Sequence, residues 1–279
     1  MSVTNFIPTI WHDQVLEKYY ETAVFRPLMN TSYTGDIKQF GDTVKINSLN
    51  DTDDAAYSGS VTYSDLDDAS RILQINQKRY VARKIDDVDN AQTNPKLMGQ
   101  VSKLFSDGFL RTQEAYLAAL YSEAGIVSGG TTNVTSVTSA NAISTIGDIA
   151  VGMDEAEVPD DGRVAIVPPW LAQKIVLAGV VRDTDNSAIL SAGYIGSFQG
   201  FQVYKSNRIS HSSTTWYAPM FFRRNDTIAL AEQLLTLEAQ RLIDQFGDGM
   251  RALLVYGAKV VRPESLAIAY VAEGAESAI

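Results

Sequence analysis

Carboxylates are the side chains of this chain with the most chemical potential. Asp86, Asp87 and Asp89 crowd three acids into four positions, which is raw material for general acid/base catalysis. They stand just before a helix signal, and favourable interaction with the helix dipole is the simpler reading. Asp51-x-Asp53-Asp54 and Asp183-x-Asp185-Asn186 open like calcium loops. An EF-hand needs Gly at its sixth position and Glu at its twelfth. The first segment offers Ala56 and Thr62 there, the second Ala188 and Tyr194. Both read as solvated acidic loops.

Residues 247–252 (Gly-Asp-Gly-Met-Arg-Ala) have the shape of a dinucleotide loop. Such a loop must join a strand to a helix. Here Leu253, Leu254, Val255 and Tyr256 follow, a strand pattern, so Asp248-Gly249 is expected to be a two-residue hairpin turn. Gln77-Lys78-Arg79-Tyr80 with Arg83-Lys84 is the main basic patch. One aromatic among cations would suit single-stranded nucleic acid. The formal net charge of −10 opposes phosphate binding, so the patch is read as facing the acidic loop of a neighbouring copy.

No Gly-x-Ser-x-Gly elbow and no phosphate-binding loop occurs. The chain has no cysteine, which excludes disulfides, thiol catalysis and thiolate metal sites. His12 and His211 are the only histidines, too few for a histidine metal cluster. No catalytic, cofactor-binding or metal-ligating residues are therefore assigned, and no cofactor is expected. Hydrophobic content of 45% and charged content of 20% are those of a globular protein. The N-terminus lacks the basic-then-apolar pattern of a signal peptide, and no apolar run reaches membrane-spanning length. No membrane partner is expected, and synthesis in the cytosol is.

The elements that must position these residues start with a hairpin. Residues 40–49 and 71–85 both alternate with period two and flank a loop holding Asp51, Asp53, Asp54, Asp65, Asp67 and Asp68. They read as one long two-stranded hairpin, which is marginally stable alone and so is expected to lie on the next copy of the chain. Val61, Tyr63 and Leu66 are spaced to dock there. Before it, residues 1–9 read as an extended arm and 11–24 as a short helix stopped at Arg26-Pro27. After it, Asn94 is a good N-cap and Pro95 suits the first helical turn. Leu97, Val101, Leu104, Phe105, Phe109, Tyr116, Leu117, Leu120 and Tyr121 recur at spacings of three and four, predicting a helix over 94–124 some ~45 Å long. Residues 128–140 read as a loop. Ile143, Ile146, Ile149 and Met153 mark a second helix, 163–167 a buried strand, and 170–178 a third helix after Pro168-Pro169. Strands are predicted at 201–204, 216–230, 238–246, 250–261 and 266–271, which makes the fold α+β.

The order of these pieces resembles the major capsid (coat) protein of tailed bacteriophages, with the Hong Kong 97-type fold. The resemblance rests on residues 40–46 (Phe-Gly-Asp-Thr-Val-Lys-Ile), the helix starting near Pro95, and 167–170 (Val-Pro-Pro-Trp). It rests also on 193–203 (Gly-Tyr-Ile-Gly-Ser-Phe-Gln-Gly-Phe-Gln-Val) followed by Ser206-Asn207, and on 256–266 (Tyr-Gly-Ala-Lys-Val-Val-Arg-Pro-Glu-Ser-Leu). It spans nearly the whole chain.

The resemblance implies an N-arm at 1–33 and an extended hairpin loop at 34–85. It implies a peripheral domain from 86–140 and 234–279, with a spine helix at 94–124, and an axial domain at 141–233. It implies a structural protein and not an enzyme, self-assembled as hexamers and pentamers into an icosahedral shell around packaged double-stranded DNA. A separate scaffolding protein and a portal would be partners, with synthesis in the bacterial cytoplasm and a final place in the virion capsid. The expected inter-subunit contacts are Val61, Tyr63, Leu66, Arg79 and Arg83. Two other readings stand beside this one. They are an encapsulin-like nanocompartment shell and, from another class, a hydrolase using acidic residues.

Overall fold

Phe105, Phe109, Leu110, Leu117 and Ala118 are all buried, and their spacing puts them on one face of the helix Lys96–Ala119 (α1). The computed structural model describes residues 23–33, 43–49, 68–86, 96–129, 133–178, 194–212, 216–241 and 247–275. The start expected for this helix, at Asn94-Pro95, lies outside them, as do the N-terminal arm and helix before Ala23. α1 runs unbroken through Gly108 and tightens into a 3-10 turn at Leu120–Glu123. A helical glycine costs about 1 kcal/mol relative to alanine. Burying Phe105 and Phe109 returns about 1.5–3 kcal/mol each, so the helix persists.

The extended segments form four sheets. β1 (Thr43–Leu49) pairs antiparallel with β2 (Asp68–Gln74). β3 (Gln77–Asp86) instead edges a three-stranded sheet in the order β12-β13-β3, where β12 is Ile228–Arg241 and β13 is Gly247–Val260. The expected single hairpin over 40–85 is therefore corrected. Only its first half returns along β1, from Thr43↔Gln74 to Leu49↔Asp68. At Ile75-Asn76 the chain leaves the ladder and joins β13, with Gln77 opposite Tyr256 and Asp86 opposite Gly247.

A six-stranded sheet has the order β4-β14-β11-β6-β8-β7. These strands are Ile126–Ser128 (β4), Leu266–Ala269 (β14), Met220–Arg223 (β11), Arg163–Val167 (β6), Phe201–Lys205 (β8) and Tyr194–Phe198 (β7). Its central strands are buried on both faces, so they read as continuous apolar runs. Ala165, Val167, Phe221, Ala267 and Ala269 meet α2 (Ala142–Glu155) and α3 (Pro169–Leu177) through Ile146, Ile149, Met153, Leu171 and Ile175. Val164, Ile166, Met220, Phe222, Leu266 and Ile268 face the other way. They pack against Leu117 and Leu120, the N-terminal residues Phe25, Leu28 and Met29, and Ile228 and Leu230 of β12. A smaller sheet, β5-β15-β10-β9, combines Thr135–Val137 (β5), Val271–Glu273 (β15), Trp216–Tyr217 (β10) and His211–Ser212 (β9).

Several other expectations change. Ile143 is 37% exposed, and Ala142 takes its place on the buried face of α2. The stretch 216–230 divides into β10, β11 and the start of β12, because a turn at 224–227, with Asn225 at φ 58°, reverses the chain. The last strand divides at Tyr270 between the two sheets. The predicted loop 128–140 contains β5, which pairs in parallel with β15. Asp248 and Gly249 sit inside β13 opposite Arg241 and Gln240, so any turn between β12 and β13 falls at 242–246, outside the described residues. The tight turn is elsewhere. Gln199 and Gly200 both have positive φ, 44° and 80°, and join β7 to β8 beside the Phe198↔Phe201 pair, as a type I′ turn requires. Finally β4 and β14 are hydrogen-bonded into the same sheet as β6, β8 and β11.

Candidate assembly surfaces

The β1–β2 ladder is rooted on the subunit's own core. Ile46, Leu73 and Ile75 alternate onto one face and are buried against Ala229, Ala231 and Val255, with Tyr33 and Val261 at the border. The opposite face is open, and Ile72 on it is 58% exposed. Beyond Leu49 and before Asp68 the acidic tip, with Val61, Tyr63 and Leu66, lies outside the described residues.

The basic segment falls on β3, the edge of its sheet, where backbone groups are open to a further strand. It is two surfaces rather than one. Val81 packs with Phe105 and Phe109 of α1, so Arg79 and Arg83, two residues either side, share the α1 side of the strand. Lys78, Tyr80 and Lys84 point to the other side, and Tyr80 is 76% exposed. Arg79 also flanks the buried ring of Tyr256, which stands edge-on to Tyr116 at 5.4 Å. Burial pushes the Tyr256 hydroxyl above the usual tyrosine range, and the Arg79 guanidinium pulls the other way. Among the described residues that hydroxyl has no partner at hydrogen-bond geometry.

A second polar construction went unseen in the sequence. Gln113 and Glu114 occupy buried positions on the otherwise apolar face of α1, 0% and 1% exposed. Glu114 accepts hydrogen bonds from the backbone N–H groups of Val24 (2.6 Å) and Phe25 (3.2 Å) through Oε1. Through Oε2 it pairs with Arg208 at 2.6 Å. Glu232 of β12 accepts from the Arg26 guanidinium and from Gln113 Nε2. Two buried carboxylates thus fasten residues 24–26 to α1, to β12 and to the turn after β8. A buried charge is tolerated when paired and hydrogen-bonded, which both are. The available signal was a Gln-Glu pair one turn after Phe109 and one turn before Leu117.

Among the described residues no group of three or more His, Asp or Glu is placed to hold a metal ion. No helix among them is long and apolar enough to cross a membrane. His211 stacks on Tyr217 at 5.2 Å, and its Nδ1 lies 3.1 Å from the Ile209 carbonyl; among the described residues no carboxylate or serine is bonded to it. The dinucleotide-like residues 247–252 lie wholly within β13, so no helix follows them. The two calcium-like loops and Asp87 and Asp89 lie outside the described residues.

Three comparisons bear on this arrangement. The fold matches solved phage capsid structures over most of both chains. Mycobacterium phage Che8 aligns at a TM-score of 0.72 and 24% identity, covering 89% of this chain and 91% of the other. The capsid of cyanophage P-SCSP1u aligns at 0.70 and 17% identity, covering 91% and 89%. A virus-like particle from Pyrococcus furiosus aligns at 0.56 and 9% identity, covering 94% and 99%. No curated protein sequence matches the chain. The fold is thus the α+β Hong Kong 97-type anticipated from the order of the elements. The sequence itself matches the family model described as "Phage capsid protein" over residues 73–269, which runs from β2 to the end of β14. The chain belongs to the phage capsid protein family.

Proposed function

We propose that this chain is the major subunit of an icosahedral phage shell, arranged as hexamers and pentamers with the acidic hairpin tip of each copy laid on its neighbour. The observation that carries this reading is the family match together with a hairpin whose root is buried in its own subunit. Ile46, Leu73 and Ile75 fix the direction of the ladder. The 17 residues at 51–67 hold five aspartates and no lysine or arginine. Such a segment cannot build a core of its own, and a cationic surface suits it. The exposed cations of β3 supply one, and Val61, Tyr63, Leu66, Arg79 and Arg83 are the proposed contacts. Heterologous contacts of this kind close into rings.

In this reading α1 with the β12-β13-β3 sheet forms the peripheral part of the subunit. The six-stranded sheet with α2 and α3 forms the axial part, and residues before 34 form the arm. The shell encloses DNA without sequence-specific binding, which suits a net charge of −10. Assembly would take place in the host cytoplasm with a separate scaffolding protein and a portal, and the final place is the virion capsid. No catalytic step is assigned. The nanocompartment and hydrolase readings are not favoured, since the family match is to phage capsids.

Negative-stain microscopy of the purified chain tests the proposal. Shells, rings or capsomer-sized assemblies are expected. Particles that remain dispersed at the size of one 30.5 kDa chain, at high protein concentration and with crowding agent, would count against it.

A further inference from the structure

The basic segment on β3 presents a second surface, on the side of the strand away from α1 and away from Arg79 and Arg83. Tyr80 stands 76% exposed there, and Lys78 and Lys84 are exposed on the same side. Leu253 and Arg251 of β13 lie opposite Tyr80 and Ala82 in the ladder, so they extend that face. Leu253 is half-buried and Arg251 is exposed. The surface is thus an apolar centre, Tyr80 beside Leu253, within a rim of three cations. A tyrosine anchor inside a polar rim is the composition of a protein contact.

α2 carries the converse. Val151 is 54% exposed on its outer face. Asp148, Asp154 and Glu155 stand three positions before, three after and four after it, so they share its side of the helix, and all three are exposed. Glu157 follows just past the helix end at φ 57°, in left-handed backbone where glycine is the usual residue. The last turn of α2 holds no basic residue. Carboxylates at a helix C-terminus oppose the helix dipole, so these acids weaken the subunit where they stand. Arg163 pairs with Asp154. Among the described residues no cation pairs with Asp148, Glu155 or Glu157.

We infer that the Tyr80 face of one copy docks on the Val151 face of the next, apolar centre on apolar centre and basic rim on acidic rim. The contact rests on the ring assembly proposed above.

Two observations make the occupant a second copy. The first is complementarity in both charge and hydropathy, whereas a net charge of −10 disfavours a phosphate backbone as partner. The second is that one chain cannot make this contact with itself. α2 packs on one face of the six-stranded sheet, and α1 and β12 pack on the other, so the sheet stands between the two patches. Val260 pairs with Ile228, where β12 meets that sheet. Leu253 lies seven residues back along β13, ~23 Å away at ~3.3 Å per residue. The two patches differ, so the contact is heterologous and repeats from copy to copy, as a ring requires.

Charge exchange tests the contact. Lys78→Glu/Lys84→Glu and, separately, Asp148→Lys/Glu155→Lys are made in the full chain, with circular dichroism to show that each folds. Each is expected to raise the protein concentration needed for assembly at least about ten-fold, because like charges then meet. The quadruple variant restores opposite charges and is expected to assemble within about three-fold of wild type. The chain has no cysteine, so a second measurement mixes Tyr80→Cys chains with Val151→Cys chains under oxidation. A disulfide between chains should form at least about ten-fold more than with Val134→Cys chains, since only close Cα pairs can be bridged. Double variants that assemble like wild type, a quadruple variant that stays defective, or a disulfide no more abundant than with Val134→Cys each overturn the contact and leave the shell reading standing. Lys78→Glu/Lys84→Glu shells that form normally but retain less duplex DNA overturn it in favour of nucleic acid. A wild-type chain that never assembles overturns both readings.

Discussion

Gly257 and the carbonyl of Gln74 touch so closely that a Cβ on Gly257 would overlap the Gln74 oxygen and press on the Ile75 Cα at 3.0 Å. This is the crossing point where the hairpin root runs over β13 before β3 joins the sheet. Backbone atoms cannot swing aside as a side-chain tip can. Gly257→Ala is expected to lower unfolding free energy by about 1–3 kcal/mol. At Gly108 an added Cβ meets only a Val81 methyl at 3.8 Å, so Gly108→Ala should stabilise by up to about 1 kcal/mol. Urea denaturation of both variants checks the pair, and a Gly257→Ala midpoint equal to wild type refutes the crossing.

The Glu114 clamp predicts a cost from charge removal. Breaking a fully buried ion pair costs about 3–5 kcal/mol. Arg208 is 29% exposed at its side chain, so water recovers part of that, and Glu114→Ala is expected to cost about 2–3 kcal/mol. Combining it with Arg208→Met should cost at least about 1 kcal/mol less than the sum of the single changes, because the two residues share one interaction. Additive losses in denaturant titrations would mean that Glu114 acts only through the Val24 and Phe25 amides.

Tyr256 gives a pH dependence with a defined sign. Burial raises its hydroxyl above the unfolded value near 10. The folded chain therefore holds this proton more tightly than the unfolded chain. Its contribution is fully present below the unfolded value and is lost as pH rises through the folded one. Tyr256→Phe should flatten the alkaline fall in stability. At neutral pH its effect should be within about 1 kcal/mol of zero, since the Arg79 guanidinium offsets part of the cost of burying the hydroxyl. Melting curves between pH 7 and 11 decide the matter, and a variant that melts lower throughout would show that the hydroxyl is satisfied.

What the sequence made legible was periodicity strong enough to survive tertiary context. The α1 stripe from Phe105 onward, the α2 face apart from Ile143, the fully buried β6 and the start of α3 at Pro168-Pro169 all follow from local spacing. What it hid depended on partners distant along the chain. Residues 71–85 alternate without interruption, so nothing local says that Gln77 leaves β1 for Tyr256 of β13. Asp248-Gly249 is a stronger turn signal than Gln199-Gly200, yet the β12–β13 ladder of 14-residue strands overrides it. Glu114 and Glu232 are 118 positions apart in sequence. Their shared task appears only when α1 and β12 are packed and residues 24–26 are threaded between them.

The acidic tip should separate folding from assembly. Its root is held by Ile46, Leu73 and Ile75, so removing what lies beyond the ladder leaves the described core intact. Replacing residues 51–67 by a short Gly-Ser linker removes five aspartates and changes the formal net charge from −10 to −5. Near-wild-type circular dichroism and melting are expected, together with loss of closed shells. A second variant, with Asp51, Asp53, Asp54, Asp65 and Asp67 all changed to Asn, keeps length and changes only charge. If the tip is held by cations such as those of β3, this variant should assemble weakly. Wild-type assembly should also weaken between about 0.1 and 1 M salt, as the screening length falls from about 10 to 3 Å. Normal assembly of the Asn variant with failure of the linker variant would mean that Val61, Tyr63 and Leu66 hold the tip by apolar contact alone. A linker variant that melts far below wild type would place the tip in the subunit's own core, and the account of a neighbour-bound hairpin would fall.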